Sequence, residues 1–422
     1  MQDIDYVLDF AVRLGKEMLV SGANLERVNI ATELVCKHYG LNELTIRVMN
    51  TEVAVGAKNQ AGDYCTRRIN VPAAHIHLER LRLLNDLSRK VCRETPDVKE
   101  LNALLDGVKA YTYATPVVLT GYLIAMASLA RIFGGVWQDI LVVLFNTVLL
   151  FFLTSSLSRA SLNRIITNAL SIFACGATAF AFYRIGLAKN FFIIIITNAF
   201  FLIPGIPMVN AMRNILCGNE MNGILELLKV CLEVLTIVAG LGLFVFVAEN
   251  WFSIPENAVS PHAGLLYDAE LVVLSFTASL GFSIVFQIHP KELVFAGLGG
   301  AITRIVYILL LKGTDYRIVF VTLAAFAAAL YAEILATVKK TPATVYLYPS
   351  IIPLIPGDLI YYAMLGIIWQ KPAAFESNAV DCLLSLVGIS IGFVICSSLS
   401  HYIRTIKVKK LFHPLSHEKV KK

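Results

Sequence analysis

Between residues 111 and 403 the chain holds only 14 Lys/Arg and 14 Asp/Glu, and apolar runs close to 20 residues long fill the space between them. A helix of about 20 residues crosses the roughly 30 Å hydrocarbon core of a bilayer. The sequence therefore predicts an α-helical integral membrane protein. Composition agrees, at 57% hydrophobic and 16% charged, where a soluble domain carries about 25% charged residues. The same ruler places spans at 115–133, 136–157, 166–186, 190–217, 224–247, 267–288, 293–311, 317–338, 344–368 and 379–403. Ten helices result, five on each side of a loop at 248–266.

The first 110 residues differ, with 15 Lys/Arg and 15 Asp/Glu. Ile4, Val7, Leu8, Ala11, Leu14 and Met18 recur at helical spacing, and a second helix follows from Asn24 to Gly40. Three short alternating segments come next (44–50, 52–58 and 64–70), with turn residues AGD at 61–63. Pro72 and Pro96 then introduce two more helices, at 74–93 and onward to the membrane. The expected organisation is a small α+β domain at 1–110, five-helix modules at 111–250 and 265–405, and a basic tail at 406–422. Met1 is followed by charged, amphipathic sequence, so no signal peptide is expected and the N-terminal domain should be cytoplasmic. Eight cysteines without a C-x-x-C pair fit a reducing compartment.

An odd number of spans per half means that two related halves would sit in the membrane with opposite orientations, the inverted repeat of many transporters. IPGIPMVNAM (Ile203 to Met212) and IPGDLIYYAM (Ile355 to Met364) share I-P-G-x5-A-M at an offset of 152, in the fourth span of each half. Ala-Ser-Leu recurs at 127–129 and 278–280 in the first span of each. Short-loop charges are balanced between the two sides, so orientation rests on the seven Lys/Arg beyond residue 403. These put both termini in the cytoplasm and leave the acidic connection (Glu249, Glu256, Asp268, Glu270) outside.

Pro204, Gly205 and Pro207 must interrupt the fourth span, as Pro349, Pro353, Pro356 and Gly357 must the ninth. Broken helices at bilayer depth are tolerated where they line a cavity, and paired breaks in two halves point to a substrate site. Charges inside spans usually face a cavity or a partner. Arg304 is the candidate counter-ion for a substrate carboxylate, and Asp358, Glu333 and Glu233 the candidate proton carriers. Glu226, Lys229 and Glu233 share one helix face, and the alternative to a functional role for such charges is internal ion pairing, as of Glu226 with Lys229, or snorkelling near helix ends. Asn168, Asn198 and Asn210 are polar enough to bind substrate or to join helices. His75 and His77 should point apart on a helix and hold no metal together. No Walker, Rossmann or G-x-S-x-G motif is present, so no cofactor and no hydrolase chemistry is expected. The positive charge is confined to the tail, leaving no basic face for nucleic acid.

Arg13 to Leu41, LIPGIPMVNAMRNILCGNEMNGILE (Leu202 to Glu226) and TPATVYLYPSIIPLIPGDLIYYAM (Thr341 to Met364) resemble the threonine/serine exporter family, and the resemblance covers nearly the whole chain. It implies a cytoplasmic domain with five spans fused to a second five-span module, and proton-coupled export of threonine and serine from the cell across its inner or plasma membrane. The family stretch IPG-x-P-x-x-N is matched by Pro204, Gly205, Pro207 and Asn210, but where many members carry Arg-Asp this chain has Arg213-Asn214. Split relatives are associated with succinate export, which makes a dicarboxylate the alternative substrate. A remoter alternative is an intramembrane aspartyl protease, from Tyr267-Asp268 and Pro356-Gly357-Asp358, although Ile355 stands where that motif has Gly. Homo-oligomerisation is left open.

Overall fold

The structure, a computed structural model, describes residues 2–58, 64–72, 75–160, 162–249, 264–314 and 316–412. In the N-terminal domain, α1 (Gln2–Val20) and α2 (Leu25–His38) lie on an antiparallel meander of β1 (Asn42–Met49), β2 (Glu52–Lys58) and β3 (Tyr64–Asn70). The alternation of β2 buries Val53, Val55 and Ala57 completely, and the apolar stripe of α1 (Leu8, Ala11, Leu14, Met18) is buried with them. At Gly15 an added Cβ would stand 3.1 Å from Val53 Cγ1 and 3.2 Å from Val28 Cγ1, so this glycine lets helix, strand and α2 close together. Asn24 starts α2 by accepting the Arg27 N–H at 3.2 Å. The expected AGD turn lies outside the described residues.

Two expectations for this domain change. Helix α3 (Leu78–Glu94) starts after His77 and not near residue 74, because the His75 and His77 N–H groups bond the carbonyls of Val20 and Ser21 and hold that segment beside the end of α1. After Pro96 only α4 (Leu101–Asp106) forms. The linker beyond it is not helical, and it is tied to the second half of the molecule: Tyr113 donates its N–H to Gln287 Oε1 and its hydroxyl to the Ile288 carbonyl, both at 2.8 Å. Burial pushes the Tyr113 hydroxyl pKa up to about 12, so it stays a donor.

Among the described residues eight helices are long and apolar enough to cross a membrane, and ten spans result if each of two bent pairs counts as one. The first half comprises α5 (Thr115–Ile132), α6 (Trp137–Arg159), α7 (Arg164–Arg184), the bent pair α8 (Phe191–Leu202) and α9 (Gly205–Leu216), and α10 (Glu220–Glu249). The second comprises α11 (Leu265–Val285), α12 (Leu293–Leu311), α13 (Arg317–Lys339), the bent pair α14 (Thr344–Ile351) and α15 (Gly357–Ile368), and α16 (Pro372–Phe412). The basic segment after residue 403 therefore continues α16 to Phe412, and the rest of the tail lies outside the described residues, as do Glu256 and most of the central loop.

The halves meet along α5 and α11. A Cβ on Gly281 would come 2.6 Å from the Gly121 carbonyl, the close backbone approach that small residues give membrane helices. Each half repeats one set of pairings: α10 packs on α7 and α9, and α16 packs on α13 and α15. The N-terminal domain docks on one end of the bundle, here the near face, where Leu78 and Glu79 N–H groups bond the carbonyls of Phe286 and Gln287 at the end of α11.

Candidate substrate pathway

The two breaks have nearly the same backbone. Ile203 and Ile355 are extended (φ −67, ψ 125 and φ −62, ψ 122), and Pro204 and Pro356 follow with φ −78 and ψ 66 or 56. Proline removes the N–H that would continue the ladder, so each helix restarts one residue later with a bend, 59° at α8–α9 and 46° at α14–α15. The breaks also face each other. A Cβ on Gly205 would stand 2.9 Å from Ile355 Cδ1, and one on Gly357 would stand 2.4 Å from a ring carbon of Phe200. Glycine at each restart is what allows the other half to approach.

A cavity opens on either side of this crossing. The near one, about 360 Å³, is lined by Pro207 and Asn210 of α9, by Glu226 and Glu233 of α10, and by turns of the N-terminal domain. Asn210 Nδ2 donates to the Tyr348 hydroxyl at 3.3 Å, and Tyr348 donates to the Gly22 carbonyl at 3.1 Å, so α9, α14 and the N-terminal domain are joined there. Glu233 is buried and pairs with Arg164 at 3.3 Å. Glu226 forms no ion pair with Lys229; Asn50 and Asn214 each donate a side-chain N–H to its Oε2 at 3.2 Å.

The far cavity, about 180 Å³, is lined by Ile355, Pro356 and Asp358 at the second break and by Arg304, Tyr307 and Arg317. Arg304 Nε donates to Ser275 Oγ at 3.0 Å, and its guanidinium lies 5.5 Å from the Tyr307 ring centroid. Phe200, against which Gly357 packs, also lines this cavity. Further out, Arg131 pairs with Glu270 and Lys312 with Asp268.

Glu333 belongs to neither cavity. It lines a small near-face space of about 40 Å³ with Arg27 of α2 and Arg213 of α9. Burial draws the Arg27 pKa below its usual value, and the Glu333 carboxylate opposes that shift. Asn168 and Asn198 are buried apart from both cavities, with Asn168 Nδ2 and both amide atoms of Asn198 lacking a hydrogen-bond partner among the described residues.

Residues 9–247 match the family described as "Putative threonine/serine exporter", and residues 271–399 match the one described as "Threonine/Serine exporter, ThrE". The chain belongs to the threonine/serine exporter family. It is 21% identical over 417 residues to the threonine/serine exporter of Corynebacterium glutamicum, an alignment covering 94% of this chain and 83% of that protein. No solved structure matches.

Within this exporter fold the candidate residues separate by face. Pro204, Gly205, Pro356 and Gly357 form the crossing, Pro207, Asn210 and Glu233 reach the near cavity, Arg304 and Asp358 the far one, and Glu333 the third space. Sequence reasoning missed Asn50, Tyr348, Tyr307 and Arg317. Only Arg317, a charge opening an apolar span, carries a signal that periodicity could have used. His75 and His77 precede α3 and do not lie on it, so the helical-face argument does not apply to them; among the described residues no group of three acids, histidines or cysteines is placed to hold a metal.

Proposed function

We propose that the chain is a secondary transporter that exports threonine and serine in exchange for protons, working through a site at the crossed breaks that is exposed alternately to the two faces. The observation that carries this reading is the pair of cavities, each lined by residues just past one break and kept apart by Gly205 against Ile355 and Gly357 against Phe200. Similar break geometry and repeated packing pairs support an inverted five-plus-five repeat, in which a small rotation of one half closes one cavity as it opens the other. The near face is the cytoplasmic one in this reading, with both termini on it.

The binding region comprises Pro204, Gly205, Pro207, Asn210, Pro356 and Gly357, with Arg304 receiving the substrate carboxylate through the planar fork that suits that group. Asp358, Glu233 and Glu333 are the proton carriers. Inside-out vesicles with an acid lumen should take up labelled threonine and serine, since their lumen corresponds to the cell exterior. Uptake of succinate without threonine would overturn the substrate, and uptake insensitive to the imposed gradient would overturn proton exchange. Neither the dicarboxylate nor the protease alternative draws support from the relatives. Asp268 moreover is paired with Lys312 at the start of α11.

A further inference from the structure

The near cavity contains two carboxylates in different circumstances. Glu233 has a guanidinium partner in Arg164. Glu226 holds the side-chain amides of Asn50 and Asn214 and forms no salt bridge among the described residues. The amides are neutral donors, and an ammonium group would bring such a carboxylate a second ion's charge as well as its hydrogen bonds. The cavity in front of it, about 360 Å³, has room for a small cation. One of the two amides comes from the N-terminal domain: Asn50 sits with Thr51 in the two-residue turn between β1 and β2, and both line the cavity.

The rest of the lining specifies what else that cation carries. Lys229 stands three residues beyond Glu226 on α10, a spacing of about 5–6 Å between Cβ atoms on one helix face, and Asn210 faces the same space. An acid and an ammonium group at this separation complement the two ends of a single α-amino acid, while the neighbouring amides accept and donate to a short polar side chain. We propose that this cavity is the loading site for a small zwitterionic α-amino acid, with Glu226 receiving its ammonium group in place of the Asn50 amide. The inference rests on the exporter reading and deepens it, because the N-terminal domain becomes part of the binding site: filling the site breaks its Asn50 contact with α10.

The test is equilibrium binding of radiolabelled L-threonine to the purified full chain in nanodiscs, with N-acetyl-L-threonine, which lacks the ammonium group, as competitor. The wild-type chain should bind threonine, and the acetylated analogue should compete at least tenfold more weakly. Glu226→Gln should weaken threonine binding at least tenfold. Thr51→Trp, which fills the cavity from a surface turn and leaves the helices untouched, should do the same with the melting temperature of the unliganded protein unchanged. Wild-type affinity in both variants, or equal competition by the analogue, overturns the site while leaving the exporter reading intact. A wild-type chain that binds no amino acid overturns both.

Discussion

The two broken helices share a backbone and differ in their surroundings. Helix α9 restarts without an acid in its first turn and opens on the large near cavity, whose lining is shared with the N-terminal domain; α15 restarts with Asp358 in its first turn and opens on the smaller far cavity beside Arg304 and Arg317. The free N–H groups and positive end of a helix dipole favour an anion. In the second half the protein supplies that anion itself and balances it with arginines. In the first half the terminus is left without one, and the acids stand across the cavity on α10. The duplicated I-P-G therefore fixes where the chain bends, while the neighbours of each bend fix the chemistry of each mouth.

The sharpest way to break this comparison is to fill the two restart glycines in turn. At Gly357 a Cβ would overlap the Phe200 ring, which is held between Phe133 and Phe282 with centroids 6.4 and 6.2 Å away. At Gly205 it would meet a single aliphatic side chain, Ile355, with Cδ1 at 2.9 Å and Cγ2 at 3.0 Å, a longer approach than the 2.4 Å at Phe200. Overpacking of this kind costs about 1–3 kcal/mol. Gly357→Ala should thus lower the melting temperature by several degrees and reduce threonine export at least tenfold, whereas Gly205→Ala should cost less than half as much in both. Equal effects would mean that the halves approach each other more symmetrically than the side chains indicate.

A smaller effect is expected at Arg304, which distinguishes the far mouth from the near one. Its contacts are Ser275 and the Tyr307 ring, and it has no carboxylate within salt-bridge distance among the described residues, so replacing it strands no directly paired acid. Arg304→Lys keeps the charge and loses the fork. Losing one of two hydrogen bonds to a carboxylate is worth about 1.5 kcal/mol at the low end for a charged group, or roughly tenfold in apparent KM, with thermal stability little changed. Transport kinetics on reconstituted protein would show it, and an unaltered KM would remove Arg304 from the substrate path.

Which parts of this arrangement the sequence disclosed follows from the range of the forces involved. Span positions and the two breaks are local: about 20 apolar residues need a bilayer and an internal proline needs a bend, and helices α5 to α16 fall where those rules put them. Partnerships are not local. Arg304 and Glu333 both read as charges within spans, yet one lines the far cavity and the other the near face beside Arg27, because α12 and α13 run in opposite directions. Glu226 passes over Lys229 on its own helix for Asn50, which lies 176 residues away in sequence. The interruption of helix between Asp106 and Thr115 likewise follows from Tyr113 reaching Gln287 and Ile288, a contact no window of sequence contains.

The smallest effect concerns how the near and far faces are held together. The far face is braced by ion pairs such as Arg131 with Glu270 and Arg317 with Asp381. On the near face the docking segment includes His77, whose Nδ1 accepts the Arg80 N–H at 3.2 Å to cap α3 and whose Nε2 lies 3.2 Å from Thr112 Oγ1. The cap requires a neutral ring with its proton on Nε2. Burial, and then the nearby Arg80, draw the His77 pKa below its usual 6.5. A folded-state pKa lower than the unfolded one means that protonation favours unfolding: stability is full above pH 6.5 and is lost as the pH falls through that value toward the folded pKa. The loss is bounded by the worth of a cap, about 1 kcal/mol. His77→Asn keeps an acceptor at the cap and does not titrate. Between about pH 7.5 and 5.5, where an ordinary histidine changes charge, the wild-type melting temperature should therefore fall a few degrees further than that of His77→Asn. Identical slopes for the two proteins would show that the near-face dock does not depend on this proton.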